Sequence, residues 1–219
     1  MPAGCTLGYG QDDAWIDSEA QRFGDDVVRE DDMIDEITPI AEMMTAEQLQ
    51  HVHLPGKSTE LVRGRLVVRE PPGTYHGKIA GRLIIRVGAF VEAHQLGELF
   101  GQDTGFRIAT SPDTVRAPDL AFITRDRLSL VGRRGYPTVA PDLVAEIVSP
   151  DDSPGEVLAK IGEWLNAGVK LAWVLDPDRR TAHVYRPDGS LSVVEVGGAL
   201  EGGTVLPGFL CPLQGLYQE

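Results

Sequence analysis

Pro141-Asp-Leu-Val-Ala-Glu-Ile-Val-Ser-Pro150 is a short apolar run with a carboxylate inside it. Its length and its aliphatic residues are typical of a strand buried at the centre of a sheet. Residues 154–167 predict a helix that ends near Gly168, and residues 170–176 predict a second apolar strand. A strand, a helix and a strand in this order predict a parallel pair joined by a helical crossover.

The residues on either side of this unit predict more strands and a long helix. Residues 60–69 hold two β-prone runs around Gly64, which is the pattern of a hairpin. A helix is predicted over about 75–95, because apolar residues recur there at three- and four-residue spacing. Short strand-like stretches are predicted at 98–100, 105–109, 114–116, 119–123, 180–186 and 190–196. The sequence therefore predicts an α/β protein of the α+β type, with a mixed sheet and flanking helices.

Charge divides the chain into two parts. Residues 1–43 hold 12 acidic and two basic residues, and the other residues carry only −3 of the total net charge of −13. Because this acidic stretch has little periodic apolar pattern, we expect a flexible extension over 1–43. Residues 44–219 then form one domain, which begins at a capping box made by Thr45 and Gln48. A strongly acidic protein is a poor partner for nucleic acid, but most of the acid here belongs to the extension.

Composition excludes several classes of protein. There is no run of about 18 apolar residues, so we expect no transmembrane helix, and the first residues lack the pattern of a signal peptide. Cys5 and Cys211 lie far apart without the spacing of a zinc site, so we expect two reduced thiols. The chain also lacks a Gly-rich phosphate loop and a nucleophile elbow. We therefore expect a cytoplasmic protein with no membrane contact.

Glu146 is the residue that packing explains least. Alternation along the strand places it on the same side as Val144 and Val148. A carboxylate in this place is costly unless a cation or hydrogen-bond donors meet it. Two interpretations stay open at this point: a functional carboxylate, or a strand end that reaches solvent or pairs with a structural arginine.

Four more side chains are candidates for the same site. Asp119 follows Pro118 at the start of a strand, which is typical of a sheet edge, and a turn-forming aspartate is the alternative. Lys160 lies on the predicted crossover helix and can reach over the end of the strand, although a surface lysine is the common case. Glu60 begins the hairpin. His76 lies on the apolar stripe of the long helix, where a hydrogen-bonded core histidine is the usual finding.

From Met44 onward the chain resembles the Uma-two family of restriction endonucleases, a branch of the PD-(D/E)XK nuclease superfamily. The resemblance rests on the order and spacing of short stretches: Thr59-Glu-Leu-Val-Arg-Gly-Arg-Leu-Val67, His76, Ala117-Pro-Asp-Leu-Ala-Phe-Ile123, residues 141–150, Lys160, and Ala167-Gly-Val-Lys-Leu-Ala-Trp-Val-Leu-Asp-Pro177. It implies a restriction-endonuclease-like core with flanking helices. It also implies that Asp119 and Glu146, from adjacent strands, bind Mg²⁺ (or Mn²⁺) and that Lys160 assists. Glu60 matches an early acidic position of the family and joins the predicted metal ligands and catalytic residues, and His76 is an accessory candidate.

One position departs from the superfamily pattern. The lysine of that pattern lies two residues after the strand glutamate, where this chain has Val148. In the family the lysine looks moved to the following helix, which gives Lys160. Glu156 stands where many relatives carry Asp, and this change keeps the charge.

The resemblance implies a Mg²⁺-dependent endonuclease that hydrolyses DNA phosphodiester bonds and leaves 5′-phosphate and 3′-hydroxyl ends. A catalytically weak or inactive module that binds nucleic acid or protein is the second hypothesis, and a structural carboxylate cluster without metal is the third. A homodimer is a further expectation, because cutting two strands with one site per chain favours a twofold arrangement. Six arginines would form a DNA-facing surface if the fold gathers them on one face: Arg63, Arg65, Arg69, Arg82, Arg86 and Arg107.

Overall fold

The computed structural model describes residues 43–218, which form three β-sheets with helices packed against the largest. The predicted extension over residues 1–43 lies outside the described residues, except for Met43. The helices are α1 (Ala46–Leu49), α2 (Thr74–His94), α3 (Pro154–Asn166) and α4 (Leu213–Tyr217), with a 3-10 helix at Arg125–Leu130. The strands are β1 (Ser58–Val62), β2 (Arg65–Arg69), β3 (Gly97–Gly101), β4 (Phe106–Ala109), β5 (Thr114–Arg116), β6 (Leu120–Thr124), β7 (Leu143–Ile147), β8 (Leu171–Asp176), β9 (Thr181–Tyr185), β10 (Leu191–Val194), β11 (Ala199–Glu201) and β12 (Leu210–Pro212).

The largest sheet has the order β10-β9-β8-β7-β6-β3, and β7 lies buried in its middle. β7 runs antiparallel to β6 and parallel to β8, so the predicted parallel pair with a helical crossover is confirmed. The crossover helix α3 begins at a capping box of Ser153 and Glu156, and a proline in its first turn has no N–H to leave unsatisfied. The mixed sheet and its flanking helices confirm the predicted fold class.

Two hydrophobic clusters cover the two faces of this sheet. On one face the long helix α2 packs its buried stripe, which includes Leu83 and Val87, against alternate residues of β6, β7 and β8. On the other face Ile161 and Trp164 of α3 pack against Val144 and its neighbours. Burying such a side chain contributes about 1.5–3 kcal/mol, so each helix is fixed firmly on its face. Glu146 lies on the α3 face, two residues after Val144.

A four-stranded sheet of order β2-β1-β5-β4 carries the predicted hairpin. Val62 pairs with Arg65 across a two-residue turn, in which Arg63 and Gly64 both have positive φ, 49° and 76°. This is the turn geometry that matches the twist of the flanking strands, and glycine enters it without strain. Since Leu61 of β1 pairs with Val115 of β5, the hairpin lies beside the chain segment that leads to Asp119.

The C-terminal elements β11, β12 and α4 were not predicted from the sequence. They cover the α2 face of the large sheet, where Phe209 stacks on Trp173 with ring centroids 5.9 Å apart. The Tyr217 hydroxyl donates a hydrogen bond to the Thr181 carbonyl at 2.7 Å. These contacts close the core on the side away from α3.

Candidate active site

An open cleft of about 830 Å³ lies where β7 ends. Its walls come from the β1–β2 hairpin, the start of α2, the segment 102–105 and the loop between β7 and α3. All five predicted site residues line it: Glu60, His76, Asp119, Glu146 and Lys160. The fold thus brings together side chains that are far apart along the chain.

Glu146 lies near the end of β7 and points toward α3. Its Oε2 accepts a hydrogen bond from Lys160 Nζ at 2.9 Å, and its Oε1 accepts one from Trp164 Nε1 at 2.9 Å. Both donors come from one face of α3, because residues four apart on a helix are neighbours. Burial raises the pKa of Glu146 to about 7, and the nearby Asp119 carboxylate adds to this shift while Lys160 opposes it.

Asp119 is the residue just before β6. Because β6 runs antiparallel to β7, this end of β6 lies beside the end of β7 that carries Glu146. Its Oδ2 accepts hydrogen bonds from the Ile147 backbone N–H at 2.7 Å and from His76, whose Nε2 lies 3.2 Å away. Its Oδ1 accepts from Gln102 Nε2 at 2.9 Å. Burial alone would raise the pKa of Asp119, but His76 and Gln102 hold it below its ordinary value. The pKa of His76 is in turn raised, because its contact with Asp119 outweighs the effect of burial. Asp119 is therefore an ionised carboxylate fixed in one orientation.

Glu60 and Lys160 meet beside Glu146. Lys160 Nζ lies 3.3 Å from Glu60 Oε1 and donates to the Ala117 carbonyl at 3.1 Å. Burial alone would lower the pKa of Lys160, but the two glutamates hold it above its ordinary value. For Glu60, burial alone would raise the pKa, but Lys160 and Arg116 hold it below its ordinary value. The ammonium group is therefore charged and enclosed by oxygen atoms.

Ion pairs separate the glutamates of this site. Within residues 43–218, no three His, Cys, Asp or Glu side chains are arranged as a group that could hold a metal ion. Lys160 lies between Glu60 and Glu146, and both oxygens of each glutamate have protein partners. The carboxylates of Asp119 and Glu146 still offer oxygen ligands at the ends of adjacent strands, which suit a hard cation such as Mg²⁺. A metal site that includes Glu60 stays a prediction.

Four residues of the site were missed by sequence reasoning. Gln102 fixes Asp119, Trp164 fixes Glu146, and Arg116 with Glu163 forms an ion pair behind Glu60. Arg116 ends a three-residue strand that is too short to show that its side chain is buried. The other three depend on which elements pair in space, and no local pattern marks them.

The six arginines considered for DNA binding do not gather at the described cleft. Arg82 and Arg86 donate to the backbone carbonyls of Leu216 and Gly215, each at 2.9 Å. Arg107 pairs with Asp113 at 2.8 Å, away from the cleft. Of these six, Arg69 alone lines the cleft. The cleft therefore has no lining of these arginines beyond Arg69, because several of the other side chains serve the fold.

A solved structure from Anabaena variabilis, described as a "putative nuclease belonging to DUF820", has the same fold. The TM-score is 0.68 at 21% sequence identity, over 80% of this chain and 97% of that chain. A likeness at this identity shows the fold, so the chain is a mixed α/β protein that shares the fold of that structure. No curated protein matches the chain.

The Uma2 (Uma-two) family, described as "Putative restriction endonuclease", matches residues 46–214. The chain belongs to this family, and the resemblance predicted from its sequence is confirmed. Family and fold together support a nuclease function with a nucleic acid as substrate. Across residues 43–218, no helix is both long and apolar enough to cross a membrane.

Proposed function

We propose that this protein is a divalent-metal-dependent endonuclease that hydrolyses phosphodiester bonds of DNA. One observation carries the proposal. Asp119 and Glu146 stand at the facing ends of two adjacent strands, with the Lys160 ammonium 2.9 Å from Glu146, at the wall of an open cleft. Two carboxylates and a lysine in this arrangement are the groups that the sequence resemblance assigned to the nuclease site.

The residues present fit Mg²⁺ or Mn²⁺. Asp119 and Glu146 would supply carboxylate oxygens, the Ile147 backbone carbonyl would supply a third, and hard cations prefer such ligands. Burial and the neighbouring carboxylates raise the pKa of Glu146, so an added cation would favour its ionised form. Glu60 is a weaker ligand candidate than Glu146, since it already pairs with two cationic side chains, Arg116 and Lys160.

The charge of the cleft supports a need for a cation. Eight carboxylates line it, against three lysine or arginine side chains. The acidic lining residues are Glu60, Glu70, Asp103, Asp119, Glu146, Asp151, Asp152 and Glu156, and the basic ones are Lys57, Arg69 and Lys160. A phosphate backbone that enters such a cleft meets net repulsion, which divalent cations would offset.

The protein side chains would act by positioning and by charge. When bound, the divalent ion would polarise the scissile phosphate and lower the pKa of a water molecule. The charge of the Lys160 ammonium can stabilise the anion that develops on a phosphoryl oxygen, or help to orient the attacking water. His76 and Gln102 hold the Asp119 carboxylate in place, and Trp164 does the same for Glu146. Water adds across the P–O bond, which leaves a 5′-phosphate and a 3′-hydroxyl.

A plasmid-nicking assay tests the proposal. Supercoiled DNA is incubated with the protein in Mg²⁺, in Mn²⁺ or in EDTA, and the same series is run with Glu146→Ala. Glu195→Ala is the matched control, because Glu195 is exposed and lies outside the cleft lining. We expect metal-dependent nicking by the wild type and the control, and none by Glu146→Ala. Undiminished nicking by Glu146→Ala would remove the site assignment.

A non-catalytic binding module is the second candidate function. It is favoured by the ion pairs that already occupy Glu146 and Glu60, because a cluster neutralised by its own lysine and arginine is stable without metal. Under this alternative the wild type would bind DNA or a protein but would not nick DNA with any divalent ion. The homodimer and the cytoplasmic location stay predictions from the sequence, and light scattering of the purified protein would test the first.

A further inference from the structure

Four charged side chains at the cleft wall and behind it are linked by three ion pairs, and we call them the charge ring: Lys160, Glu60, Arg116 and Glu163. Lys160 Nζ lies 3.3 Å from Glu60 Oε1, and Arg116 Nη1 donates to Glu60 Oε2 at 2.9 Å. Arg116 Nε donates to Glu163 Oε2 at 2.7 Å. Lys160 and Glu163 are three residues apart on α3, so the helix itself closes the ring.

The charge ring is buried at its centre. The side chains of Glu60 and Arg116 are 5% and 7% exposed, and that of Lys160 is 15% exposed. A buried charge that loses its partner is strongly unfavourable, so each member restricts the next to one arrangement. Arg116 can bridge two carboxylates at once because its guanidinium is a planar fork with several donors.

The ring fixes the place of the ammonium group. Three oxygen atoms lie within 3.3 Å of Lys160 Nζ: Glu146 Oε2, the Ala117 carbonyl oxygen and Glu60 Oε1. A lysine ammonium has three N–H donors, so these three contacts use all of them. The backbone of Ala117 contacts both Glu60 and Lys160. Its N–H donates to Glu60 Oε1 at 2.9 Å, and its carbonyl accepts from Lys160. The end of β5 is thus the reference point for both side chains.

We propose that Glu60 and Arg116 are positioning residues that act on the reaction through Lys160, and that Glu60 does not serve as a metal ligand. The inference rests on the proposed nuclease function for its effect on turnover. Glu60 is paired with two cationic side chains, Arg116 and Lys160, whereas Glu146 is paired with Lys160 alone. Arg116 is not among the residues that line the described cleft, so it reaches substrate only through Glu60 and Lys160.

A double-mutant cycle separates this role from metal ligation. Glu60→Gln and Lys160→Gln are made singly and together, and turnover and KM for plasmid are measured at saturating Mg²⁺. We expect Glu60→Gln alone to lower turnover about 10- to 100-fold, as loss of a supporting residue does elsewhere. In the Lys160→Gln background the same change should alter turnover less than about twofold, because its effect passes through the lysine. Independent losses that multiply in the double variant would overturn the proposal.

Metal affinity gives a second readout that does not depend on turnover. Mg²⁺ and Mn²⁺ binding is measured by titration calorimetry without DNA. We expect Glu60→Gln to leave the dissociation constant within about threefold of the wild type, because it changes no ligand, whereas Asp119→Asn removes a ligand charge and weakens binding by more than about tenfold. A Glu60→Gln variant that loses affinity as Asp119→Asn does would show that Glu60 is a ligand after all.

The arginine is tested with graded changes and a matched control. Arg116→Gln should lower turnover with KM little changed, and Arg116→Lys should restore part of it, because lysine keeps one of the two ion pairs. Glu163→Gln, at the least buried member of the ring, should have a smaller effect and keeps the test usable if Arg116→Gln fails to fold. Arg107→Gln is the control, because it breaks a similar arginine–carboxylate pair on the neighbouring strand outside the cleft. Equal losses of turnover from Arg107→Gln and Arg116→Gln would contradict a specific positioning role.

The outcomes also distinguish this inference from the proposed function. If the wild type nicks DNA but the effects of Glu60→Gln and Lys160→Gln are independent, the nuclease function stands and the positioning role is rejected. If the wild type does not nick, the same cycle is measured as urea unfolding in EDTA. A coupling between Glu60 and Lys160 of at least about fivefold in the unfolding equilibrium constant would support the fixed ammonium. Additive effects there would reject it.

Discussion

Asp142 and Glu146 are buried carboxylates only four residues apart, at opposite ends of β7, and their surroundings differ sharply. Asp142 Oδ1 lies 2.7 Å from Arg127 and 2.8 Å from Lys170, and the Thr124 N–H and hydroxyl both donate to Oδ2. Burial alone would raise the pKa of Asp142, but these donors hold it below its ordinary value of 3.8. The pKa of Glu146 is instead raised to about 7 by burial, with other carboxylates nearby.

This difference separates a structural carboxylate from a candidate functional one. Asp142 joins the start of β7 to the end of β6 and to the residue before β8, so its charge is fully used by the fold. Glu146 faces a cleft in which acidic side chains outnumber basic ones. A buried acid with a raised pKa in a cleft is a candidate for a functional site. Asp142 lies outside the cleft lining, and its partners belong to the fold.

The largest expected difference between the two acids is in activity. We expect Glu146→Gln to lower the nicking rate by more than the roughly 10- to 100-fold that outer-shell partners of a metal site cost. Asp142→Asn, assayed well below its melting temperature, should stay within about threefold of the wild type, because Asp142 does not line the cleft. Plasmid nicking on the two purified variants checks this, and a similar loss in both would erase the distinction.

The order is reversed for folding stability. We expect Asp142→Asn to lower the free energy of unfolding by about 3 kcal/mol, because it leaves Arg127 and Lys170 without their anion. Glu146→Gln should change it by less than about 1 kcal/mol, since the amide still accepts from Trp164 and Lys160 keeps Glu60. Urea unfolding in EDTA, followed by tryptophan fluorescence, measures both. A larger loss for Glu146→Gln would show that Glu146 is a structural residue.

Stability should depend on pH in opposite directions at the two sites. Because the folded pKa of Asp142 is lowered, its contribution is present above 3.8 and is lost as the pH falls below that value. Because the folded pKa of Glu146 is raised, its protonated form favours the fold, and that contribution declines from about 4.5 and is lost as the pH rises through about 7. Unfolding of the wild type in EDTA is compared with Asp142→Asn at acid pH and with Glu146→Gln from pH 5 to 8. If Asp142→Asn keeps the wild-type change of stability with pH at acid pH, Asp142 does not carry that dependence. If Glu146→Gln keeps it from pH 5 to 8, Glu146 does not.

The smallest effect is expected at the exposed partner of Asp142. The side chain of Lys170 is 56% exposed, so Lys170→Gln should cost less than about 1 kcal/mol, and Arg127 still neutralises the aspartate. This corresponds to a fall in melting temperature below about 4 °C for a domain of this size. Thermal unfolding monitored by circular dichroism measures it, and a loss as large as that of Asp142→Asn would mean that Lys170 carries the whole ion pair.

The sequence predicted the central unit well because it carries two clear apolar runs. β7 and β8 are continuous apolar stretches, and the segment between them has the length of a helix and ends at a glycine. Glu60, Asp119, Glu146 and Lys160 were chosen from costly positions and a family resemblance, and the fold places all four in one cleft. Their roles as metal ligands and catalytic groups remain predictions.

The parts that were missed depend on distant partners. Asp142 follows a proline and looks like a turn residue, and only the pairing of β7 with β6 shows that Thr124 meets it. Arg116 acquires its partners through the pairing of β5 with β1 and the packing of α3, neither of which leaves a local pattern. The elements β11 and β12 have three residues each, too short for alternation to identify them.

The loop from Val148 to Ser153, which joins β7 to α3, sets the distance between the carboxylate and the lysine. Each residue added to a helix turns the following side chains by about 100° and advances them by about 1.5 Å. One inserted residue that shifted the register of α3 would therefore swing the ammonium group out of reach of Glu146, although every side chain of the site was still present. The length of this loop is therefore as necessary to the site as the residues themselves. A related chain with an insertion here could lose its activity although every site residue matched.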